Sequence, residues 1–303
     1  MESKSLAVSV VMPTFNREES LPAAIRSVLA QSSPPSEIVV IDDGSTDATP
    51  ALMERISDEF AKEGTPREGT PEVRYIRQEN QGVSAARNHG IRAAKHDWVA
   101  FLDSDDEWLP RKLEKQCRAL AREPGIRFCH TDEIWIRKGR RVNPMKKHAK
   151  SGGRIFSQCL PLCVISPSSA LIHRDLFDRY GMFDPELPVC EDYDLWLRIC
   201  AREPVLYIAE PLLKKFGGHD DQLSRRYWGM DRFRIRALEK LIRSGVLEGD
   251  ALSAALDTLY RKIDIYVAGA EKRRKFEEAD RYRDRKRQFK RQFEACCDGT
   301  TDG

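Results

Sequence analysis

The sequence predicts an α/β protein, a doubly wound and mostly parallel sheet followed by a helical C-terminal extension. Three observations predict it. Short apolar, β-branched runs alternate with amphipathic helical segments over the first hundred residues. Polar clusters stand at the carboxyl ends of those runs, where sheets of this kind bind ligands. From about residue 227 the pattern becomes wholly helical and basic. A chain of 303 residues is long enough for one large domain of this type with an appended tail.

The elements follow in order. Residues 7–12 (AVSVVM) read as a buried strand ended by Pro13. Leu21, Ile25, Val28 and Leu29 recur at helical spacing. Residues 38–41 form a second strand, closed by Asp42-Asp43-Gly44-Ser45, and Asp47 caps a helix running to Phe60. Residues 62–72 (KEGTPREGTPE) are a loop, 73–76 a third strand, 82–94 a helix and 98–102 a fourth strand. That strand ends at Asp103-Ser104-Asp105-Asp106. The stretch 126–220 mixes short strands and helices, interrupted by Pro161, Pro167, Pro185 and Pro188. Helices fill 227–294, with Tyr260, Ile263, Ile265, Tyr266 and Val267 as packing residues, and Asp298 to Gly303 read as disordered.

Bulk properties exclude several classes. A hydrophobic content of 41% suits a globular core. A net charge of +3 is too small to indicate a nucleic-acid binder. The eight cysteines include no C-x-x-C pair and no zinc spacing; they read as buried thiols, which points to a reducing compartment. The polar first residues lack the apolar core of a signal peptide, and no run of about 18 apolar residues exists to span a bilayer. Between Arg261 and Glu294 thirteen Lys/Arg stand against seven Asp/Glu, so Arg273-Arg274-Lys275 and Arg285-Lys286-Arg287 are candidates for peripheral contact with anionic lipid or form a solvated face.

Six stretches carry candidate chemistry. The Asp-x-Asp of the acidic cluster offers hard oxygen ligands to Mg²⁺ or Mn²⁺, which also take substrate phosphates. Asp43 can accept a hydrogen bond from a base imide such as that of uracil. In Pro13-Thr14-Phe15-Asn16-Arg17-Glu18, Phe15 offers a stacking face and the following helix start can meet an anion. In Gln81-Gly82-Val83-Ser84-Ala85-Ala86-Arg87-Asn88, Arg87 can reach a phosphate. In Glu191-Asp192-Tyr193-Asp194-Leu195-Trp196, Asp192 can take a proton from an acceptor hydroxyl. His219, in a late Gly-started polar stretch, can ligate a metal or touch a diphosphate. In isolation each also reads as an ordinary turn, helix cap or surface side chain.

Their order is far more specific. PTFNRE, VVIDDGSTD, NQGVSAARNHG, FLDSDD-x-W-x-P and a distant EDYDLWLR, spanning about residues 7–224, resemble the family 2 glycosyltransferases with the glycosyltransferase-A fold. The resemblance implies an inverting transferase that moves a sugar from a nucleotide-diphosphate donor, by default a UDP-sugar, to a glycan or lipid-linked acceptor, in bacterial cell-surface polysaccharide or glycoconjugate synthesis. It implies that Asp43 reads the base and that Pro13, Thr14, Phe15 and Glu18 line the nucleotide pocket, with Arg87, Asp103 and Ser104 on the donor. Asp103, Asp105, Asp106 and His219 would hold Mn²⁺ or Mg²⁺, and Asp192 would be the catalytic base. Many members carry an Arg shortly before the late His; here Phe216-Gly217-Gly218 precede it and Lys214 and Lys215 are the nearest bases. The implied layout is a transferase domain over 1–224, with a donor half to about 110 and an acceptor half from 111, then a basic helical extension over 225–303. A cytoplasmic location, peripheral to the membrane, follows as an expectation. The competing readings are a non-catalytic nucleotide-sugar binder of the same fold and a sugar nucleotidyltransferase, the latter disfavoured because PTFNRE has no glycine-rich loop.

Overall fold

The computed structural model describes residues 6–62, 69–218 and 227–294. His219, most of the loop expected at 62–72 and the tail beyond Glu294 lie outside the described residues. The chain forms two compact units, Met1–Gln222 and Leu223–Gly303.

The first unit is built on one mixed sheet. Its parallel half comprises β1 (Val8–Thr14), β2 (Glu37–Asp42), β3 (Glu72–Arg77) and β4 (Trp98–Phe101), in the spatial order β3-β2-β1-β4. Helices α1 (Leu21–Leu29), α2 (Thr49–Lys62) and α3 (Val83–Ala93) connect these strands, as parallel pairing requires. β1 and β2 are buried along their whole length, which is why they read as continuous apolar runs and not as alternating ones. Gly90 lets α3 approach closely: a Cβ there would stand 2.2 Å from Val11 Cγ1.

Pro13 does not end β1. The strand continues to Thr14, with Pro13 opposite Ile41. Pairing with β4 stops at Val11–Phe101, and the Leu102 N–H donates to the Val11 carbonyl. The missing N–H of Pro13 therefore falls on the side where no ladder remains to receive it.

Beyond β4 the sheet becomes mixed. β5 (Glu107–Trp108), α4 (Lys112–Leu120), β6 (Phe128–Arg137), β7 (Arg140–Val142), α5 (Phe156–Cys159), β8 (Leu171–His173), α6 (Asp175–Tyr180), α7 (Glu191–Cys200) and β9 (Leu206–Gly217) follow. The order continues β4-β8-β6-β9-β5, with β7 on β6. β8 is antiparallel to β4 and β6, while β9 runs parallel to β6 with shifts near Asp132. Two short 3-10 turns, Lys146–His148 and Pro167–Ser169, serve as connectors. The cysteines at 117, 129, 159, 190 and 200 are buried free thiols, and Cys163 is half-buried.

The second unit contains α8 (Asp231–Arg243), α9 (Gly249–Lys272) and α10 (Phe276–Glu294). Ile235, Leu238, Leu259, Ile263, Tyr266 and Phe289 supply its core. Ile265, expected as a packing residue, is 62% exposed, because the buried stripe runs through 263, 266, 267 and 270 and leaves 265 on the far face. Among the described residues no helix is long and apolar enough to cross a membrane.

One core residue of the first unit is out of place for its type. Lys112 is fully buried, its ammonium 3.9 Å from the centre of the Trp108 ring and 2.7 Å from Gln116 Oε1, to which it donates. Burial pushes its pKa down to about 7 from an ordinary 10.5. The unfolded chain then binds the proton more tightly between those two values, so stability rises with pH from 7 towards 10.5 and the penalty is fully present below 7. Lys112→Met is expected to raise the melting temperature at pH 7 by at least ~2–4 °C, equivalent to about 1 kcal/mol, and to flatten the rise towards pH 9. Thermal melts at pH 7 and pH 9 check this; a lower melting temperature in the variant contradicts it.

Candidate active site

The polar clusters converge at the carboxyl ends of β1, β2 and β4. The β1–α1 and β2–α2 loops interlock there. Asn16, at φ 54°, accepts the Thr46 N–H at 2.8 Å through Oδ1, and its own N–H donates to Ser45 Oγ at 2.9 Å. Glu18 Oε2 accepts the Ala48 N–H at 2.7 Å, while its N–H donates to Asp47 Oδ2 at 3.1 Å. Asp47 also accepts the Thr49 N–H at 2.9 Å and so caps α2. Phe15 projects from this frame, 42% exposed. Pro13 and Thr14 are buried in β1, and Thr14 Oγ1 has no hydrogen-bond partner among the described residues.

Asp43 is buried and faces the loop entering α3. Its Oδ1 accepts Gln78 Nε2 at 2.8 Å and the Gln81 N–H at 2.9 Å; Oδ2 accepts the Gly82 N–H at 2.8 Å. Asp42, beside it, accepts the Ser45 N–H and the Tyr75 hydroxyl.

The acidic turn is held from outside its own strand. The Asp103 N–H donates to Ser168 Oγ at 3.1 Å, and that hydroxyl donates to Asp106 Oδ2 at 2.6 Å. Asp106 Oδ1 accepts the Phe216 N–H of β9 at 2.9 Å, and the Trp108 indole donates to the Ser168 carbonyl at 2.8 Å. Asp106 is 2% exposed. Burial first, then Asp105 and Asp103, push its pKa well above the carboxylate range, against the pull of Lys215 and Ser168. Ser104 is buried within the turn, whereas the carboxylates of Asp103 and Asp105 lie in partly exposed residues.

Arg87 joins this turn to α7. Its Nη2 donates to Asp103 Oδ1 at 2.6 Å and its Nη1 to Glu191 Oε1 at 2.6 Å, with the guanidinium 5.2 Å from the Phe183 ring centre. The residue is 3% exposed. The expectation that it reaches a phosphate therefore meets a different arrangement: the guanidinium is committed to two carboxylates inside the protein. Next to it, Asn88 exchanges two hydrogen bonds with the Phe183 backbone, at 2.7 and 3.0 Å. Asp192 follows Glu191 in the first turn of α7, half-buried, with Oδ1 accepting the Tyr193 N–H at 2.7 Å. Cys190, preceding both, holds φ 63°, a conformation that is costly for a residue with a Cβ and so marks a constrained entry to the helix.

Lys215 of β9 is the residue that sequence reasoning undervalued. Burial alone would depress its ammonium, but Glu133, Asp106, Asp103 and Asp192 outweigh that and hold its pKa above the ordinary lysine value. It thus lies in the shared field of the acidic turn and of Asp192. Glu133, across on β6, accepts Lys150 at 3.0 Å and the Trp135 indole at 2.7 Å, and is pulled down to about 2 in spite of its burial by Lys150, Lys215 and Ser166. The available signal was a lysine pair inside an otherwise apolar strand, LLKKFG. Nothing in the sequence marked Ser168, which acts through the turn it ties.

A cleft of about 440 Å³ opens between the β1–α1 loop, the acidic turn and β9, bordered by Asn16, Glu18, Asp47, Asp105, Glu107 and Phe216. Asp43, Arg87 and Asp192 do not border it. Among the described residues no group of three or more His, Cys, Asp or Glu side chains converges as a metal site. The donors that Asp103 and Asp105 supply are carboxylate oxygens only. Such a set fits a hard dication that completes its shell with substrate oxygens.

Removing the Arg87 charge leaves Asp103 and Glu191 without their cation. Arg87→Met is expected to lower folding stability by about 3–5 kcal/mol, as the breaking of a buried pair does. Arg87→Lys should recover only part of it, since one ammonium cannot reproduce the fork. Denaturant titration measures both; a loss below about 1 kcal/mol for Arg87→Met would show the pair to be screened by solvent.

Comparison with known proteins identifies the family and the fold. The profile of glycosyl transferase family 2 matches residues 9–181, more than half of the chain. An uncharacterised glycosyltransferase of Rickettsia conorii is 31% identical over 219 residues, covering 72% of this chain and 32% of its own. The chain therefore spans about a third of that relative's length. Staphylococcus aureus TarS, solved with UDP-GlcNAc, superposes with a TM-score of 0.65 at 19% identity, covering 85% of this chain and 72% of its own. The mannosyltransferase PcManGT of Pyrobaculum calidifontis, solved with GDP-Man and Mn²⁺, does so with a TM-score of 0.61 at 17% identity, over 89% and 76%. At those identities the two structures speak for the fold, the glycosyltransferase-A type with added C-terminal helices. The chain belongs to glycosyl transferase family 2.

Proposed function

We propose that the protein transfers a sugar from a nucleotide-diphosphate donor, with UDP as the nucleotide, to a hydroxyl of a glycan or lipid-linked acceptor, inverting the anomeric centre. The observation that carries this reading is the Arg87 bridge, which ties Asp103 of the acidic turn to Glu191 and so brings the turn to the start of the helix that bears Asp192. A leaving diphosphate and a proton-accepting carboxylate need to be close together, and these residues supply both ends.

On the donor side, Asp43 keeps one acceptor position. Its Oδ1 takes two donors and its Oδ2 one, so Oδ2 has a lone pair for a uracil imide N–H. Phe15 offers its exposed face to the base, and Pro13, Thr14 and Glu18 shape the neighbouring wall. Asp103 and Asp105, with Ser104 shaping their turn, would hold Mn²⁺ or Mg²⁺. When bound, the ion supplies Lewis-acid stabilisation of the departing diphosphate. Asp106 supports the turn through Ser168 and the Phe216 N–H, and each of its oxygens, taking one donor, keeps a lone pair for the same ion. A metal role for His219 stays a proposal. Lys215 adds a fixed positive charge beside the diphosphate, acting as a preorganised electrostatic group.

Asp192 then takes the acceptor hydroxyl's proton as the oxygen attacks the anomeric carbon from the face opposite the nucleotide. The glycosidic bond to the diphosphate breaks, and the new bond to the acceptor oxygen forms. The demand on the sugar resembles that of inverting glycoside hydrolysis, with the diphosphate leaving as an anion that needs no acid to protonate it. Glu191, salt-bridged to Arg87, orients the turn of helix that carries Asp192.

Asp192→Asn is expected to lower transfer by about 10²–10⁴-fold while leaving UDP binding in the presence of Mn²⁺ unchanged. A transfer assay on a donor panel, run with and without chelator beside calorimetry, tests it; full activity in the variant removes the assigned role. Absence of both transfer and donor hydrolysis in the wild type across the panel would favour a non-catalytic nucleotide-sugar binder. Lys215→Met is expected to weaken UDP about tenfold or more and uridine hardly at all, the loss of one charge-assisted contact to phosphate. Equal weakening of both ligands would place Lys215 outside the diphosphate's reach.

A further inference from the structure

The β6–β7 hairpin and the turn after it carry positive charge that nothing in the described chain neutralises. Arg137, Lys138, Arg140, Arg141, Lys146 and Lys147 are all exposed. Among the described residues none of the six has a carboxylate within 4.0 Å. Within its own stretch of sequence the hairpin has no acid to draw on, for no Asp or Glu occurs between Glu133 and Asp175. Lys150, the next cation, differs: it is buried and paired with Glu133.

The fold concentrates this charge. Arg137 and Arg140 are direct cross-strand partners, joined by the two-residue turn Lys138-Gly139 at φ 49° and 72°. Like charges facing each other across strands are destabilising, and the left-handed position of Lys138 is one that a side chain rarely takes. The chain then folds back: the His148 ring lies 5.0 Å from that of Trp135, and Lys150 reaches Glu133, so Lys146 and Lys147 return towards the hairpin. His148 feels the result. Burial, together with Lys147, Lys150 and Lys215, holds its pKa below the ordinary histidine value. At the start of this return stands Met145, 61% exposed, one of four large hydrophobic residues on the described surface.

The helical tail, where sequence alone placed a cationic surface, is different. Arg285 pairs with Glu239, Lys286 with Asp264 at 2.7 Å, and Arg287 with Asp284. Arg273 and Lys275 lie over the Trp228 ring at 5.4 and 4.0 Å. Several of its cations thus have partners within their own unit, whereas the hairpin cations have at most the contact of Arg137 with the Trp135 ring, 5.5 Å from its centre, among the described residues.

We propose that the β6–β7 hairpin with the turn at Met145–Lys147 is a docking surface for an anionic phospholipid bilayer. Six exposed cations attract the headgroup layer, and Met145 enters the interface between them. A soluble anion would be met by the charges alone; the exposed thioether side chain amid lysines fits a surface with an apolar layer under its charged one. Because Trp135 lies opposite Lys215, and Arg137 opposite Gly217, docking would hold the lip of the cleft at the bilayer.

The test is co-sedimentation of the full chain with vesicles of phosphatidylglycerol and phosphatidylcholine, against pure phosphatidylcholine. The wild type is expected to bind only the anionic vesicles, and less as salt rises. The variant Arg140→Ser/Arg141→Ser/Lys146→Ser/Lys147→Ser should bind at least about a hundredfold more weakly, since each cation near such a surface contributes independently. Met145→Ser alone should weaken binding by several-fold. Calorimetry with UDP, unchanged in the variants, shows that they are folded. Neutralising Arg273, Arg274 and Lys275 should change little. The proposal falls if the wild type ignores anionic vesicles, if loss follows the tail and not the hairpin, or if the wild type binds a soluble polyanion while leaving vesicles unbound.

Discussion

Arg87 is a guanidinium with almost no access to water, held between a carboxylate of the β4 turn and one at the start of α7. Those carboxylates come from segments some ninety residues apart in sequence, one at the end of the parallel half of the sheet and one in the helix between β8 and β9. An isolated charge in that position would be costly, and so would either acid without it. Arg87 and Glu191 must therefore be buried together, with Asp103 completing the pair at the edge of solvent. This condition draws the two halves of the first unit into register. With Asn88 clasping Phe183 one residue along, α3 becomes the member against which the acidic turn and α7 are both set.

Around this pairing the charges form layers. Arg87 is below, committed to Asp103 and Glu191. Asp106 is beside it, tied to Ser168 and Phe216 and pushed towards neutrality by burial and its acidic neighbours. Lys215 lies where the fields of the turn, of Asp192 and of Glu133 overlap. On the proposed function, the site receives a charged diphosphate and keeps a carboxylate ready for a proton, and such an arrangement serves both. Its fixed charges are already oriented, and little reorganisation is needed when charge moves during the reaction.

The parallel strands were legible because burial on both faces writes itself as apolar, β-branched runs, and the helices between them show their period. The limits of β1 were misread because proline is judged by what it lacks; whether a neighbour strand needed that N–H depends on where β4 stops. That Asp43 and the acidic cluster stand at strand ends was legible as well. Arg87 was found but given a different task, since a buried double ion pair and a surface phosphate ligand look alike in one dimension. Lys215 and Ser168 were not identified because their significance comes from β9 and the Pro167–Ser169 turn meeting the acidic turn, a pairing no local pattern encodes. The tail's basic character was visible, but the pairing of Arg285 and Lys286 with acids on neighbouring helices was not.

The hydroxyl of Ser168 receives the Asp103 N–H and gives its own hydrogen to Asp106, while its carbonyl receives the Trp108 indole. The shape of the acidic motif is thus written about sixty residues downstream of the motif itself. The four residues cannot be moved as a cassette to the end of another strand and keep their geometry, and a graft of the donor half onto a foreign acceptor half would have to carry this serine with it. The Pro167–Ser169 turn is thus as much a part of the acidic motif as its own aspartates, although it need never touch a substrate.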